Sequence, residues 1–306
     1  MSNLINRKAV IGAISLFVIK YAPRVFHENL WGSNEDLLET RGRVVDADGN
    51  TVALPLKKVF NYLENGAGSD IPMSAKVRAI EKINGSMLHV TNTPHGILYG
   101  TTGSAVLGNA ETDNEFLNRG RELFNKVIDK HFFKIVHCGS TFIFEVVDNE
   151  NDPHIINDEN GLYLLGIRDP NGVLVDHVKV ARYAYLNNIY KGDFILKCPK
   201  CIEGSLGEIL HLARTVEHEG FMVQLKGSTE FVFKLKSPYY LNKKRAQRIK
   251  ASKLFAQNWR EFFDDDYYAT IDVIHCKFTE EDWNLLEESD RAKAFEDAYR
   301  ELLGNN

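Results

Sequence analysis

Glu81-Lys82-Ile83-Asn84-Gly85-Ser86-Met87-Leu88-His89-Val90 places a lysine on a tight, glycine-containing turn that leads into an apolar strand. A single Lys-x-x-Gly is a weak signal, because chance scatters such tetrapeptides through many proteins. Alone, Lys82 reads as a surface turn residue. Its meaning depends on what surrounds it, upstream and downstream.

Upstream stand Leu38-Glu39-Thr40-Arg41-Gly42 and Lys57-Lys58-Val59-Phe60-Asn61-Tyr62. Downstream, Thr141-Phe142-Ile143-Phe144-Glu145-Val146-Val147 is a strand carrying one carboxylate among apolar neighbours. After it come His218-Glu219-Gly220-Phe221-Met222-Val223 and Phe231-Val232-Phe233-Lys234-Leu235-Lys236. Lys234 and Lys236 are two apart on a strand and so share one face. An unpaired buried carboxylate at Glu145 would be costly, so the strand implies a partner for it.

These parts suit one chemistry, attack of a lysine amine on the α-phosphate of a nucleotide. The attacking amine must be neutral, and a free lysine titrates near about 10.4. Neighbouring cations such as Lys234, Lys236 and a metal would push that value down. The same two lysines could clamp a triphosphate and offset charge developing in the transition state. Arg41 offers a planar fork for phosphate. Glu145 and Glu219 offer hard oxygens for Mg²⁺ or a ribose hydroxyl. Each residue also has a plainer reading: Lys234 and Lys236 as a solvent face, Arg41 as an ion-pair partner, Glu219 as a turn carboxylate.

The rest of the chain fits a globular enzyme. Its 306 residues are 44% hydrophobic and 26% charged, room for one large and one small domain. The formal net charge of −5 excludes a global positive field, so nucleic-acid binding would need local basic patches. Four cysteines, Cys138, Cys198, Cys201 and Cys276, are too few for a disulfide scaffold and point to a reducing cytoplasm. The apolar run from Ala9 to Ile19 follows Arg7 and Lys8 like a signal peptide. It is too short to span a bilayer and lacks a small-residue cleavage site, so a buried first helix or strand is expected, with a loop at Pro23.

The coarse pattern is a hairpin around Asp46-Ala47-Asp48-Gly49-Asn50, one or two helical turns over 57–64, then strands over 86–91 and 95–101. Helices are expected over 111–130, 179–190 and 206–218, short strands over 132–138, 141–147 and 162–167, and a last hairpin over 221–225 and 230–235. Interleaving without a βαβ period makes this α+β with mainly antiparallel sheets. From Asn242 to Lys253 six basic residues occur with no acid, suited to RNA-backbone contact or to a solvated helix face. Beyond it the chain is helical and acidic, with Thr279 and Asp282 as a capping box and Gly304 as a stop. We expect domains at 1–241 and 242–306. Cys198 and Cys201 lack a second ligand pair for zinc, Asp264-Asp265-Asp266 reads as a helix-start cluster, and His89, His95 and His137 read as core or surface residues.

In collinear order over roughly residues 37–241 the arrangement resembles the covalent nucleotidyltransferases, the superfamily of DNA ligases, RNA ligases and capping enzymes. Lys82 to Gly85 matches its motif I, Phe144-Glu145 motif III, Leu162 to Asp169 motif IIIa, Glu219-Gly220 motif IV and Lys234 to Lys236 motif V. Within it the chain is similar to the phage T4 RNA ligase 1 family, through Leu38 to Gly42, Lys58 to Asn61, Tyr163 to Arg168 and Lys234 to Leu241. The resemblance implies an ATP-grasp-like nucleotidyltransferase core with flanking helices and a small helical C-terminal domain. It implies ATP-dependent joining of RNA 5'-phosphate and 3'-hydroxyl ends, tRNA among them, through a lysyl-AMP on Lys82, with Mg²⁺ or Mn²⁺. Arg41 and Lys58 would then contact phosphates, Glu145 the ribose and Glu219 the metal. Lys234 and Lys236 would hold the α-phosphate and triphosphate, and Gly85 would let the backbone approach the nucleotide. No membrane or protein partner is implied, and the setting is the cytoplasm, a host's if phage-encoded. Two departures stand out: Asn84 replaces the family's usual aspartate, and Gly100 to Gly103 lacks its basic residue. A GTP-using capping-type guanylyltransferase, a DNA ligase and a catalytically impaired RNA-end-binding module are the alternatives. The Arg41 and Lys58 stretches favour RNA ligase over the first two, and no OB-fold pattern follows Lys236.

Overall fold

A computed structural model describes residues 4–304 except 14, 132, 134–138 and 193–194. Three antiparallel sheets form its frame. The first orders β1 (Ile5–Ala9), β2 (Phe17–Tyr21), β3 (Arg41–Val45) and β4 (Thr51–Ala53) in sequence. Asp46 closes the β3–β4 turn by accepting from the Asn50 amide at 2.8 Å, the side-chain-to-backbone bond that suits Asp to turns. The apolar run 9–19 is thus divided between two strands rather than forming one buried element, because Val10 and Leu16 pair across a hairpin turn (2.9 Å). Pro23 opens a short helix over Pro23–His27 instead of a loop, a position where its missing N–H costs nothing.

The second sheet runs β10 (Gly161–Arg168), β9 (Thr141–Val147), β6 (Ser86–Thr93), β7 (Gly96–Gly100), β8 (Ala105–Leu107). Every residue of β9 is buried. Phe142 and Phe144 join Leu88, Val90, Leu162 and Leu164 in the largest core, which the helices Glu115–Val127 and His177–Lys191 cover through Phe124, Val180 and Tyr183. Burying each such aromatic contributes on the order of 2–3 kcal/mol. Asn114 and Asp176 cap these helices by accepting from the amides of Leu117 and Val178.

The third sheet orders β11 (Cys201–Ser205), β5 (Lys76–Glu81), β12 (Gly220–Leu225) and β13 (Phe231–Lys236). The chain leaves the third sheet at Glu81 and enters the second at Ser86, so the Lys82–Gly85 turn lies where the two meet. Cys201 begins a strand and pairs with Ile80. Over 57–63 the chain is not helical, and only a short 3-10 turn begins at Glu64: the Lys58 amide donates to the Leu38 carbonyl (2.7 Å), Asn61 bridges to Lys234, and the Tyr62 amide donates to the Lys234 carbonyl (2.8 Å). A strand partner distant in sequence overrides the helical spacing there.

The helix expected over 206–218 ends at Ala213, and the last helix is two, Glu280–Leu285 and Glu288–Gly304. Thr279 and Asp282 do form their capping box. From Tyr239 and Tyr240 through Leu254, Ile271 and Trp283 to Phe295 a separate apolar cluster holds the C-terminal helices together and takes in Ile156. Asp264 to Asp266 precede the helix Tyr268–Lys277. Of the strand expected over 132–138, residues 132 and 134–138, with His137 and Cys138, lie outside the described residues. No described helix is long and apolar enough to cross a membrane.

Candidate active site

Lys82 extends the pairing of β5 with β12, its amide donating to the Gly220 carbonyl at 2.8 Å. That carbonyl sits where only glycine fits: Gly220 has φ +125°, and a Cβ there would lie 2.0 Å from the Leu235 oxygen. Gly85 is required for a different reason, since its Cβ would lie 2.4 Å from the Val146 oxygen. The turn can therefore press against β9, and the Gly85 amide donates to Glu145 Oε1 at 3.2 Å.

Asn84 locks the turn from within. Its Nδ2 donates to Glu219 Oε2 (2.8 Å), its Oδ1 accepts from the Ile156 amide (3.0 Å), and its own amide donates to Asp158 (2.7 Å). Glu219, 3% exposed, is the hub: Oε2 also accepts from Lys82 Nζ at 2.7 Å, and Oε1 lies 3.6 Å from Lys236 Nζ. Its main chain is fixed to the helix Pro238–Arg248, because the Ser237 amide donates to the Glu219 carbonyl (3.0 Å) while the Ser237 hydroxyl donates to the His218 carbonyl (2.6 Å). Glu145, 9% exposed, titrates above the usual carboxylate range because burial outweighs the fields of Lys82 and Arg41.

The cations come from four stretches. Lys234 and Lys236 do share one face of β13. Burial, then the like charges of Lys58, Lys236, Lys82 and Arg41, bring Lys234 down to about 7. Lys236 is lowered chiefly by burial, against the opposing pull of Glu219, and its ammonium lies 4.8 Å from the centre of the Tyr240 ring. Lys58 is likewise lowered by burial; its ammonium sits 5.1 to 5.8 Å from the ring centres of Phe60, Trp31 and Phe26.

Arg41, Lys82, Gly85, Glu145 and Lys234 line one cleft of ≈ 320 Å³. Its other wall is apolar, with Val59, Ile80, Leu165, Met222 and Phe231, a surface suited to a flat ring. Glu219 and Lys236 join it through Lys82. Lys58 does not line the cleft and acts on it through charge, as a neighbour of Arg41, Lys234 and Lys236. The sequence reading missed the bonds made by Asn84, the Asp158 carboxylate and the ring of Tyr240. Lys57 pairs with Glu230 at 2.7 Å on the rim.

Among the described residues no group of three or more His, Cys, Asp and Glu side chains is arranged to hold a metal. Cys198 Sγ lies 4.0 Å from His177 Nε2, and Cys201 is exposed. A Mg²⁺ ion takes one or two carboxylates and completes its shell with substrate phosphates and water. Glu219, with Glu145 close by, offers that hard-oxygen chemistry.

The sequence model of a family described as RNA ligase matches residues 39–240. Two solved forms of an archaeal ATP-dependent RNA ligase are similar in fold. One is 13% identical with TM-score 0.53, covering 96% of this chain and 72% of that one. The other is 14% identical with TM-score 0.54, covering 97% and 73%. No curated protein sequence matches the chain.

Proposed function

The chain belongs to the RNA ligase family, and from that membership we propose that it uses ATP to join an RNA 5'-phosphate to a 3'-hydroxyl through a lysyl-AMP on Lys82. The observation that carries this reading is the single cleft that collects Arg41, Lys82, Gly85, Glu145 and Lys234 from separate stretches of chain.

In the first step Lys82 Nζ attacks the α-phosphorus of ATP. A P–N bond forms, the bond to the bridging oxygen breaks, and pyrophosphate leaves. Nζ must shed a proton, and Glu219 Oε2 at 2.7 Å is placed to receive it. Lys234, with Arg41 beside it, meets the negative charge that gathers on the phosphate oxygens; Lys236 and Lys58 support it from behind. Gly85 allows the backbone to come close to the nucleotide. Glu145 accepts from a ribose hydroxyl, and the apolar wall of Ile80, Met222 and Phe231 receives the base. In the second step an oxygen of the RNA 5'-phosphate attacks the same phosphorus and frees Lys82. In the third the 3'-hydroxyl oxygen attacks the 5'-phosphorus and AMP leaves. Glu219 would hold a divalent cation, Mg²⁺ or Mn²⁺, which would supply Lewis-acid neutralisation of the phosphate oxygens. Repair of cleaved RNA, tRNA included, is the task such chemistry serves. Residues 1–241 carry nucleotidyl transfer in this reading and 242–306 serve substrate contact.

Incubation with ATP labelled at the α-phosphate, plus Mg²⁺, followed by a denaturing gel, tests the proposal. We expect an acid-labile labelled protein band, absent in Lys82→Ala, and loss of end joining in that variant while its thermal unfolding is retained. Joining at the wild-type rate by Lys82→Ala would falsify the assignment. Labelling by GTP alone would indicate a guanylyltransferase. No labelling by any nucleotide, with protein free of bound AMP, would indicate an RNA-end-binding module.

A further inference from the structure

The helix Pro238–Arg248 presents two unlike faces. Inward, Lys243 is 3% exposed and paired with Glu296 at 2.6 Å, as a buried charge requires. Outward, Leu241, Lys244, Arg245 and Arg248 follow the i, i+3, i+4, i+7 spacing of one helix face. With Lys250, Lys253 and Phe262 they line a groove of ≈ 520 Å³ that no carboxylate enters. No ion pair to an acid is found for Lys244, Arg245, Arg248, Lys250 or Lys253 among the described residues. Five cations without an anion, in a chain of net charge −5, mark a place where an outside anion supplies the balance.

The groove connects to the reaction centre through a single ring. Lys236 lies over one Tyr240 at 4.8 Å, and Lys244 lies 5.5 Å from the same ring centre and 3.4 Å from its hydroxyl. Lys236 in turn reaches Glu219, and Glu219 reaches Lys82. Positive groups therefore continue from the reactive lysine, past Tyr240, onto the helix face. Arg245 is held in place by donating to the Phe262 carbonyl, and Lys253 lies 5.4 Å from the Phe262 ring centre, which leaves an apolar surface among the cations.

We propose that this groove is the track for the phosphate backbone of the single RNA strand next to the reacting end, bound through Arg248, Lys250 and Lys253 with Lys244 as the link to the cleft. The proposal rests on the RNA-joining reading and adds to it the surface that holds the strand. A phosphodiester chain matches both features, a row of negative charges at regular spacing and bases able to lie on Leu241 and Phe262.

Each phosphate neutralised on a single strand contributes about −0.7 to the slope of log K against log salt, so Lys244, Arg248, Lys250 and Lys253 together give roughly −2.8. The test measures binding of a fluorescent single-stranded oligoribonucleotide across a salt series, for the full chain and for Arg248→Ala/Lys250→Ala/Lys253→Ala. The triple variant should lose about 2 from the magnitude of the slope, bind RNA more weakly at low salt and still label with ATP as the wild type does. An unchanged slope and affinity, with adenylylation intact, would overturn the track. Should the triple variant lose adenylylation as well, the single changes Arg248→Gln and Lys253→Gln decide, each expected to remove about 0.7. A wild-type protein that never labels with ATP yet shows the full slope, lost in the variants, would sink the ligase reading and keep the groove.

Discussion

Lys234 offers the sharpest quantitative test of the cleft, because its titration near 7 makes nucleotide binding consume protons. Burial and four neighbouring cations hold it down to about 7 without a carboxylate among the causes. A triphosphate bound between Arg41 and Lys234, as proposed, would reverse that field and return the ammonium to full charge. The free protein holds about half a proton on Lys234 at pH 7 and about a tenth at pH 8, so binding should take up about 0.5 and 0.9 proton respectively, and about 0.1 at pH 6. Above pH 7 the affinity for a polyphosphate should fall by up to tenfold per pH unit, about 1.4 kcal/mol. Titration calorimetry with an ATP analogue that cannot be cleaved between its α and β phosphates, at pH 8 in two buffers of different ionisation enthalpy, reads the uptake directly. At that pH the ligand's own phosphates are already ionised. The same residue affects stability. Its folded value lies below the unfolded one, so the folded state binds fewer protons between about 7 and 10.4, and its contribution becomes more favourable as pH rises through that window. Lys234→Met should therefore raise the midpoint of thermal unfolding at pH 7, flatten its rise with pH and abolish most of the proton uptake. Uptake below about 0.3 at pH 8, or uptake that survives in Lys234→Met, would refute the reasoning.

Two other positions in the turn give independent tests. Gly85→Ala forces a Cβ to within 2.4 Å of the Val146 oxygen, so the turn must withdraw from β9; a displacement approaching 1 Å should cost about a hundredfold in the labelling rate, with a normal rate ruling out the close-packed turn. Asn84→Asp replaces an amide that donates to Glu219 Oε2 at 2.8 Å with a second carboxylate. A carboxylate facing another has its titration raised on folding, so the penalty is small near pH 4 and grows as pH rises above it; unfolding midpoints at pH 5 and pH 8 should show a larger deficit at pH 8, and an equal deficit would count against direct contact.

How much of this was visible in the sequence depends on the range over which each residue acts. The β9 carboxylate was legible, because seven buried residues in a row leave Glu145 conspicuous and its partner can be inferred from cost alone. Lys234 and Lys236 were legible as a pair from period two, and the Asp46 turn from its own local bonds. Residues 57–64 were misread because their spacing suits a helix, whereas the Tyr62 amide is claimed by the Lys234 carbonyl, far along the chain. β5 and β11 were passed over since neither carries a hairpin signal; they are strands because each finds the other. Asn84 was noticed only as a departure. Its side chain joins Glu219 to the Ile156 amide, and no periodicity encodes a bond between three stretches so far apart.

The charge arrangement of the cleft then follows from its burial. Five cations, Arg41, Lys58, Lys82, Lys234 and Lys236, surround two acids, Glu145 and Glu219, and low solvation opposes charge of either sign. It lowers the titration of Lys58, Lys234 and Lys236 and raises that of Glu145. Burial thus opposes the charge on both kinds of group, and a bound polyanion would favour the protonated lysines. The outer groove of Arg248, Lys250 and Lys253 is exposed, so salt screens the charges along it. The two basic regions should respond to different variables, the cleft to pH and the groove to ionic strength, and a nucleotide-binding constant that varied with salt as steeply as the RNA-binding constant would contradict that division.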